Sequence, residues 1–88
     1  MTVKKESHVL LAVHITDRLK EVPPVQKILS QYGDVIRTRL GLHQVGKDYS
    51  SPEGVLILDI ISEPRARQLQ KTLDKLQGIE TKLTIFKH

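Results

Sequence analysis

A single carboxylate interrupts an otherwise apolar run in the second half of the chain. The segment GVLILDII, residues 54–61, suits the inside of a sheet except for Asp59. Such a carboxylate can act as a general base, ligate a metal ion or pair with a cation. General acid-base catalysis needs a second titratable group beside the first, and strand alternation places no second carboxylate near Asp59. We therefore expect an ion pair at a subunit interface, with a general base or a metal ligand as the alternatives.

The histidines are the next residues that could do chemistry, because imidazole is a common ligand for nickel, zinc and iron. The chain contains four of them. His8 and His14 share one face of a predicted strand, but at about 3.3 Å per residue they lie roughly 20 Å apart. One ion cannot bridge that distance within a chain. A metal site would have to combine His14 or His43 with a symmetry-related subunit.

One segment matches a phosphate-binding motif by its letters alone. GLHQVGK, residues 41–47, has the spacing G-x-x-x-x-G-K. A phosphate-binding loop also needs Ser or Thr as the next residue and a helix that starts there. Asp48 follows instead, and 88 residues are too few for the usual nucleotide-binding fold. We interpret the match as chance.

Composition excludes several classes of protein. With no cysteine, the chain has no disulfides, thiolate metal sites or cysteine nucleophiles, and its net charge of +4 is dispersed among ten acidic residues. Base stacking on RNA needs aromatic residues on the central strands, and the predicted first and third strands carry none. No helix-turn-helix or basic helix is present, so we do not expect direct DNA binding by this chain alone. No run is long and apolar enough for a membrane span or a signal peptide, and we expect a cytoplasmic location.

The elements that must position these residues follow from periodicity. Alternation predicts strands, 3.6-residue spacing predicts helices, and a Gly, Ser and Pro cluster at 46–54 predicts a turn. Thr16 or Asp17 can cap the first helix, Ser62 can cap the second, and Gly78 can end it. The predicted elements are strand 7–15, helix 22–32, strand 34–45, strand 55–62, a helix between Ser62 and Gly78, and strand 79–87.

This order predicts an α+β fold, a ferredoxin-like βαββαβ sandwich with a four-stranded antiparallel sheet and two helices on one face. Residues 1–88 form one domain, in which we expect 1–6 to be a flexible N-terminus. Alternation predicts that one set of strand side chains faces the helices: Val9, Leu11, Val13, Ile36, Leu40, Leu56, Leu58, Ile60, Leu83 and Ile85.

The other side of the sheet, here called the open face, is turned away from both helices. It is predicted to be apolar but studded with charge, and such a patch on a small domain predicts association. The third strand should lie between the first and second, which brings Asp59 close to Arg37 and Arg39. The candidate interface or ligand residues are Leu10, Arg37, Arg39, Val55, Ile57, Asp59, Ile61 and Phe86.

Four segments together resemble a known family. HVLLAVHITDR, ILSQYGDVIRTRLGL, GVLILDII and LDKLQGIETKLTIF are similar to the small single-domain regulators of the iron-only hydrogenase system. Their fold is similar to ACT domains and to the C-terminal domain of the nickel-responsive repressor. The resemblance implies an ACT-like module that assembles into dimers or tetramers through its sheets. The chain lacks the cysteine of the repressor's metal site and the glycine that ACT domains carry after their first strand.

The sequence therefore predicts a homo-oligomeric regulatory or ligand-sensing module that acts by binding, with a small molecule or a metal as effector. One alternative is a metal-responsive regulator that uses histidines at subunit interfaces. A second is a small enzyme or a weak RNA-binding protein on the same fold. The residues do not identify a cofactor.

Overall fold

We describe the protein from a computed structural model that defines residues 8–16, 18–43 and 54–87, with the side chains of all of these except 18, 19, 42 and 43. The N-terminal segment 1–6, the possible cap at Asp17 and the predicted turn up to residue 53 lie outside the described residues. Within them, no helix is long and apolar enough to cross a bilayer.

The elements occur in the predicted order and form one antiparallel sheet with the spatial order β2-β3-β1-β4. The third strand therefore lies between the first and the second, as expected. Both helices pack on the same side of this sheet, so the predicted ferredoxin-like fold is confirmed. The elements are β1 (His8–Ile15), α1 (Arg18–Gln31), β2 (Ile36–His43), β3 (Gly54–Ile60), α2 (Glu63–Asp74) and β4 (Ile79–Phe86).

The first helix begins about one turn earlier than its prolines indicated. Pro23 and Pro24 lie inside α1, where each removes a backbone donor from the helix. The start of the helix is held by Glu21, whose carboxylate accepts hydrogen bonds from the Thr16 backbone N–H at 2.9 Å and from the Thr16 hydroxyl at 3.0 Å. This side-chain bridge fixes the entry of the chain into α1 ahead of the two prolines.

The second helix has the cap that its sequence predicted. Ser62 has extended backbone angles, and its hydroxyl oxygen accepts a hydrogen bond from the Arg65 N–H at 3.3 Å. Pro64 occupies the first turn, where its missing N–H would have no helical partner. Gly78, in the turn between α2 and β4, has a left-handed φ of 84°, which glycine adopts at little cost.

The core fills the space between the helices and one face of the sheet. β1 and β3 provide its centre, and each fully buried Leu or Ile contributes about 1.5 to 3 kcal/mol. These residues alternate as predicted from the sequence. The buried apolar residues are Val9, Leu11, Val13, Ile15, Val25, Leu29, Val35, Leu58, Ile60, Ala66, Leu69, Leu73 and Ile79.

An irregularity in β2 overturns two predicted placements. The pairing of β2 with β3 shifts register after Ile36, so that Thr38 is the residue opposite Asp59. One extra residue in a strand reverses the alternation of every residue beyond it. Arg39, predicted on the open face, is opposite the buried Leu58 and lies on the helix side. Leu40, predicted to face the helices, is opposite Ile57 on the open face and is 54% exposed.

Candidate functional site

The open face is built from three cross-strand rows. Its central row runs from Leu40 through Ile57 and Ala12 to Lys82. A second row contains Thr38, Asp59, Leu10 and Thr84, and a third contains Val55, His14 and Glu80. Leu10, Ala12, Val55 and Ile57 are half-buried within the single chain because side chains of neighbouring strands flank them. The face is therefore apolar along its middle and charged toward both edges.

Asp59 lies beside the apolar centre and pairs with one of the two arginines expected near it. The Nε of Arg37 lies 3.3 Å from Oδ2 of Asp59. Arg37 lies at the position where the register of β2 shifts, and its side chain reaches Asp59 on the open face. Arg39 lies on the other side of the sheet. The Arg37 side chain is 41% exposed, so the ion pair contributes about 1 kcal/mol or less.

The second oxygen of Asp59 is the most unusual polar atom in the described part of the chain. Oδ1 is buried and has no hydrogen-bond partner. A buried acceptor without a donor costs about 1 to 3 kcal/mol. Nearly all buried polar atoms in proteins have a hydrogen-bond partner, so Oδ1 sets Asp59 apart from the other described polar side chains.

Arg39 lines a cavity of about 250 Å³ between β2 and the end of α1. The cavity walls include Leu29, Ser30, Gly33 and Ile36. Among the described residues, the Arg39 side chain makes no ion pair or hydrogen bond. Its guanidinium is therefore separated from Asp59 by the thickness of the sheet.

The two histidine candidates lie two strands apart, and the register shift in β2 puts them at positions of opposite parity in the sheet. His14 is half-buried in the row of Val55 and Glu80, and His43 is opposite Gly54 at the end of β2. The His43 side chain is outside the description. Within residues 8–16, 18–43 and 54–87, no three His, Cys, Asp or Glu side chains are close enough to hold one metal ion. A site between subunits stays a prediction.

The remaining candidates lie at the edge of the open face. Ile61 directly follows β3, and its backbone N–H donates to the Val35 carbonyl at 2.9 Å. Phe86 is opposite His8 at the end of β4. Both apolar side chains are more than half exposed, at 56% for Ile61 and 53% for Phe86, so they extend the apolar surface beyond the sheet centre.

A second candidate site, missed at the sequence level, lies where β1 enters α1. A cavity of about 490 Å³ is lined by Thr16, Lys20, Glu21, Pro24, Leu76, Gln77 and Gly78. We call it the end cavity. It combines an ammonium group, a carboxylate, a hydroxyl and two apolar side chains, which together suit a small polar organic molecule.

Gly78 forms part of the wall of the end cavity. The Thr16 hydroxyl shares its one proton between the Glu21 carboxylate and the Gly78 carbonyl oxygen, each 3.0 Å away, and a Cβ on Gly78 would overlap the Glu21 carboxylate. The turn after β1 contains no glycine, but Gly78 supplies one from the turn before β4. A search confined to the turn after β1 misses this glycine because the fold, and not chain proximity, brings the two turns together.

Comparisons with known proteins establish the fold of the chain. No family model and no curated protein matches the sequence. The solved structure of the uncharacterized protein TM1266 from Thermotoga maritima is similar, with a TM-score of 0.76 and 18% sequence identity. The similarity covers 93% of this chain and 98% of that chain. The two proteins therefore share one fold over nearly their whole lengths.

Proposed function

We propose that this protein is a regulatory module that acts by binding and not by catalysis. Copies of the chain assemble through the open face into a dimer or a tetramer, and a small ligand binds in the end cavity. The observation that carries the proposal is the half-buried apolar centre of the open face beside a buried Asp59 oxygen without a donor. Exposed apolar patches with unsatisfied polar groups are typical of surfaces that another molecule covers.

The end cavity provides the sensing part of the proposal. Lys20 and Glu21 present opposite charges on its wall, and Pro24 and Leu76 present apolar surface. Glu21 also holds the start of α1 through Thr16. A ligand that engages the Glu21 carboxylate would compete with Thr16 for it, so binding would be linked to the order of the β1 to α1 turn.

The hydrogenase system is the regulatory context that the sequence pattern supports. The segments GVLILDII and LDKLQGIETKLTIF resemble the regulators of the iron-only hydrogenase system. These regulators have an ACT-like fold, as the resemblance implies. We place the protein in that context as part of the proposal.

A metal-responsive regulator is the second candidate, and His14 favours it. This histidine is half-buried on the open face, and its imidazole makes no hydrogen bond or ion pair among the described residues. Assembly through that face would bring histidines of two copies toward each other. The metal-responsive candidate predicts stoichiometric nickel, zinc or iron that His14→Ala or His43→Ala removes, and binding that survives both changes would contradict it.

Native mass spectrometry of untagged protein purified from its own host tests the proposal. It reports the number of subunits, any retained metal and any retained small molecule in one measurement. We expect an oligomer that carries an organic ligand, and Lys20→Ala should remove the ligand while the oligomer persists. A monomer without a ligand would contradict both parts of the proposal.

A further inference from the structure

The cavity beside Arg39 lies at a free edge of the sheet, because β2 is the outermost strand. It is lined by residues 36–39 of β2 together with Leu29, Ser30 and Gly33, and we call it the edge cavity. We infer that the edge cavity binds a small organic oxyanion, whose carboxylate or phosphate group is held by the guanidinium of Arg39. This site shares no lining residue with the end cavity, so it is additional to the proposed function and does not depend on it.

The charged side chains that line the edge cavity are cations. They are Arg37 and Arg39, and no carboxylate of the described residues lines it. Arg37 is paired with Asp59, but the Arg39 side chain makes no ion pair or hydrogen bond in the described part of the chain. Asp34, which lies close along the chain, is already paired with Arg65 at 3.3 Å. An oxyanion in the edge cavity therefore meets an unpaired guanidinium and no competing carboxylate in the described wall.

The guanidinium of Arg39 selects the class of ligand. Its planar fork matches two oxygens of a carboxylate or of a phosphate group, and it binds them by two parallel hydrogen bonds. The Thr38 hydroxyl donates no hydrogen bond among the described residues, so its proton is available to the same group. The oxyanion therefore lies at the outer edge of β2, beside residues 38 and 39.

The remaining wall suits a short carbon skeleton. Ile36 is half-buried and Leu29 is buried, and both border the cavity. The cavity volume of about 250 Å³ is smaller than the roughly 300 to 1,000 Å³ of pockets that bind drug-sized ligands. The edge cavity therefore fits an anion with a small hydrocarbon part.

The end of α1 acts against an anion, because a helix C-terminus carries partial negative charge. Two carbonyl oxygens of its last turn already accept hydrogen bonds: that of Leu29 from the Tyr32 N–H at 3.0 Å, and that of Ser30 from the Gly33 N–H at 3.4 Å. The remaining repulsion favours the oxyanion on the β2 side of the cavity, next to Arg39, and the hydrocarbon part toward α1.

Charged residues on an edge strand can also serve only to prevent pairing with another sheet. That role accounts for the charges of Arg37 and Arg39, but it predicts no bound anion. A binding measurement therefore separates the two roles.

Titration of the isotope-labelled protein, followed by NMR at low salt, tests the site with three probes. Benzoate and phenyl phosphate carry the two kinds of oxyanion, and benzyl alcohol has the same ring without a charge. We expect saturable binding of at least one of the two anions, with the largest changes at the amides of Thr38 and Arg39. Whichever anion binds more tightly identifies the group that the site prefers. Benzyl alcohol should bind at least about tenfold more weakly, because it cannot form the charged pair.

Substitutions of Arg39 test the residue that carries the site. Arg39→Ala should weaken anion binding about 10- to 100-fold, the loss typical of hydrogen bonds to a charged group. Arg39→Lys keeps the charge but not the fork, so its affinity should lie between those of the parent and of Arg39→Ala. Arg67→Ala removes an exposed arginine of α2 and is the control with the same change in net charge. Circular dichroism checks that each variant is folded.

The outcomes distinguish this inference from the proposed function. Equal weakening by Arg39→Ala and Arg67→Ala, or equal binding of benzyl alcohol, would show a general effect of charge or of apolar contact and overturn the site. Anion binding that Lys20→Ala removes and Arg39→Ala does not would place the ligand in the end cavity, which overturns the inference and supports the proposed sensing site. The absence of saturable binding of either anion at millimolar concentrations would overturn the inference and leave the proposed function standing. Binding that depends on Arg39 alone supports the site.

Discussion

Replacing Gly78 with alanine tests how the end cavity is built. Gly78 is the residue with a left-handed φ in the described part of the chain. An added Cβ would overlap the Glu21 Oε2 and lie 2.8 Å from the Thr16 Oγ1. Because Glu21 is a flexible side chain, we expect it to rotate away, with loss of its hydrogen bonds to Thr16.

The expected loss of stability combines the cost of a left-handed backbone at alanine with the cost of the hydrogen bond lost at Glu21. A left-handed backbone costs a residue with a Cβ about 1 to 2 kcal/mol, and loss of a hydrogen bond to a carboxylate costs about 1.5 kcal/mol at a partly exposed site. The unfolded chain has less conformational freedom with alanine than with glycine, which offsets about 0.5 kcal/mol of this loss of stability. We therefore expect Gly78→Ala to lower the free energy of unfolding by about 2 to 3 kcal/mol.

Urea unfolding followed by far-ultraviolet circular dichroism, at one fixed protein concentration, measures the change. In a Glu21→Ala background the same substitution should cost only about 1 kcal/mol, because the displaced carboxylate is already absent. Gly33→Ala is the matched control: its nearest atom is the Ser30 carbonyl oxygen at 3.5 Å and its φ is not left-handed. The same loss in the parent and in the Glu21→Ala background would refute the proposed overlap of Gly78 with Glu21.

Three further changes test the remaining contacts by the same unfolding assay. Arg37→Ala should lower stability by about 1 kcal/mol because it leaves Asp59 unpaired, whereas Arg39→Ala, which loses no described partner, should stay within about 0.5 kcal/mol; equal losses would contradict the placement of the two arginines. Ser62→Ala should cost about 1 kcal/mol through loss of the cap of α2, and Ser30→Ala, an exposed helical serine, should cost less than half of that. Leu69→Ala should cost about 2 to 5 kcal/mol because it empties a fully buried site, and a loss below 1 kcal/mol would contradict the described core.

Alternation predicted β1 and β3 well because both strands are regular and run through the middle of the sheet. Val9, Leu11 and Val13 are buried by the helices, and so are Leu58 and Ile60. On these strands a two-residue period is enough to assign each side chain to a face.

Strand β2 could not be predicted in the same way. The segment IRTRLGLH has Ile36 and Leu40 in one phase of its alternation, so the pattern predicts one face for both, but the register shifts after Ile36 where β2 meets β3. A single extra residue therefore moved Arg39 to the helix side and Leu40 to the open face. The pattern of one strand carries no information on such a shift, because the shift is a property of the pair.

The end cavity could not be predicted from the sequence, for a related reason. Gly78 and Thr16 are 62 residues apart in the chain and meet only because β1 and β4 are neighbours. At the sequence level Gly78 indicated the end of a helix, which it also follows. Its contact with Glu21 required the folded structure.

The number of subunits in solution tests the central claim most directly. Light scattering of the untagged protein at tens of micromolar, beside a variant that carries Ile57→Lys at the centre of the open face, compares the two in one experiment. We predict a dimer or a tetramer for the parent and a folded monomer for the variant, because a buried charge at the centre of the interface would have no partner. A parent that is monomeric, or a folded variant that assembles as well as the parent, would contradict assembly through the open face.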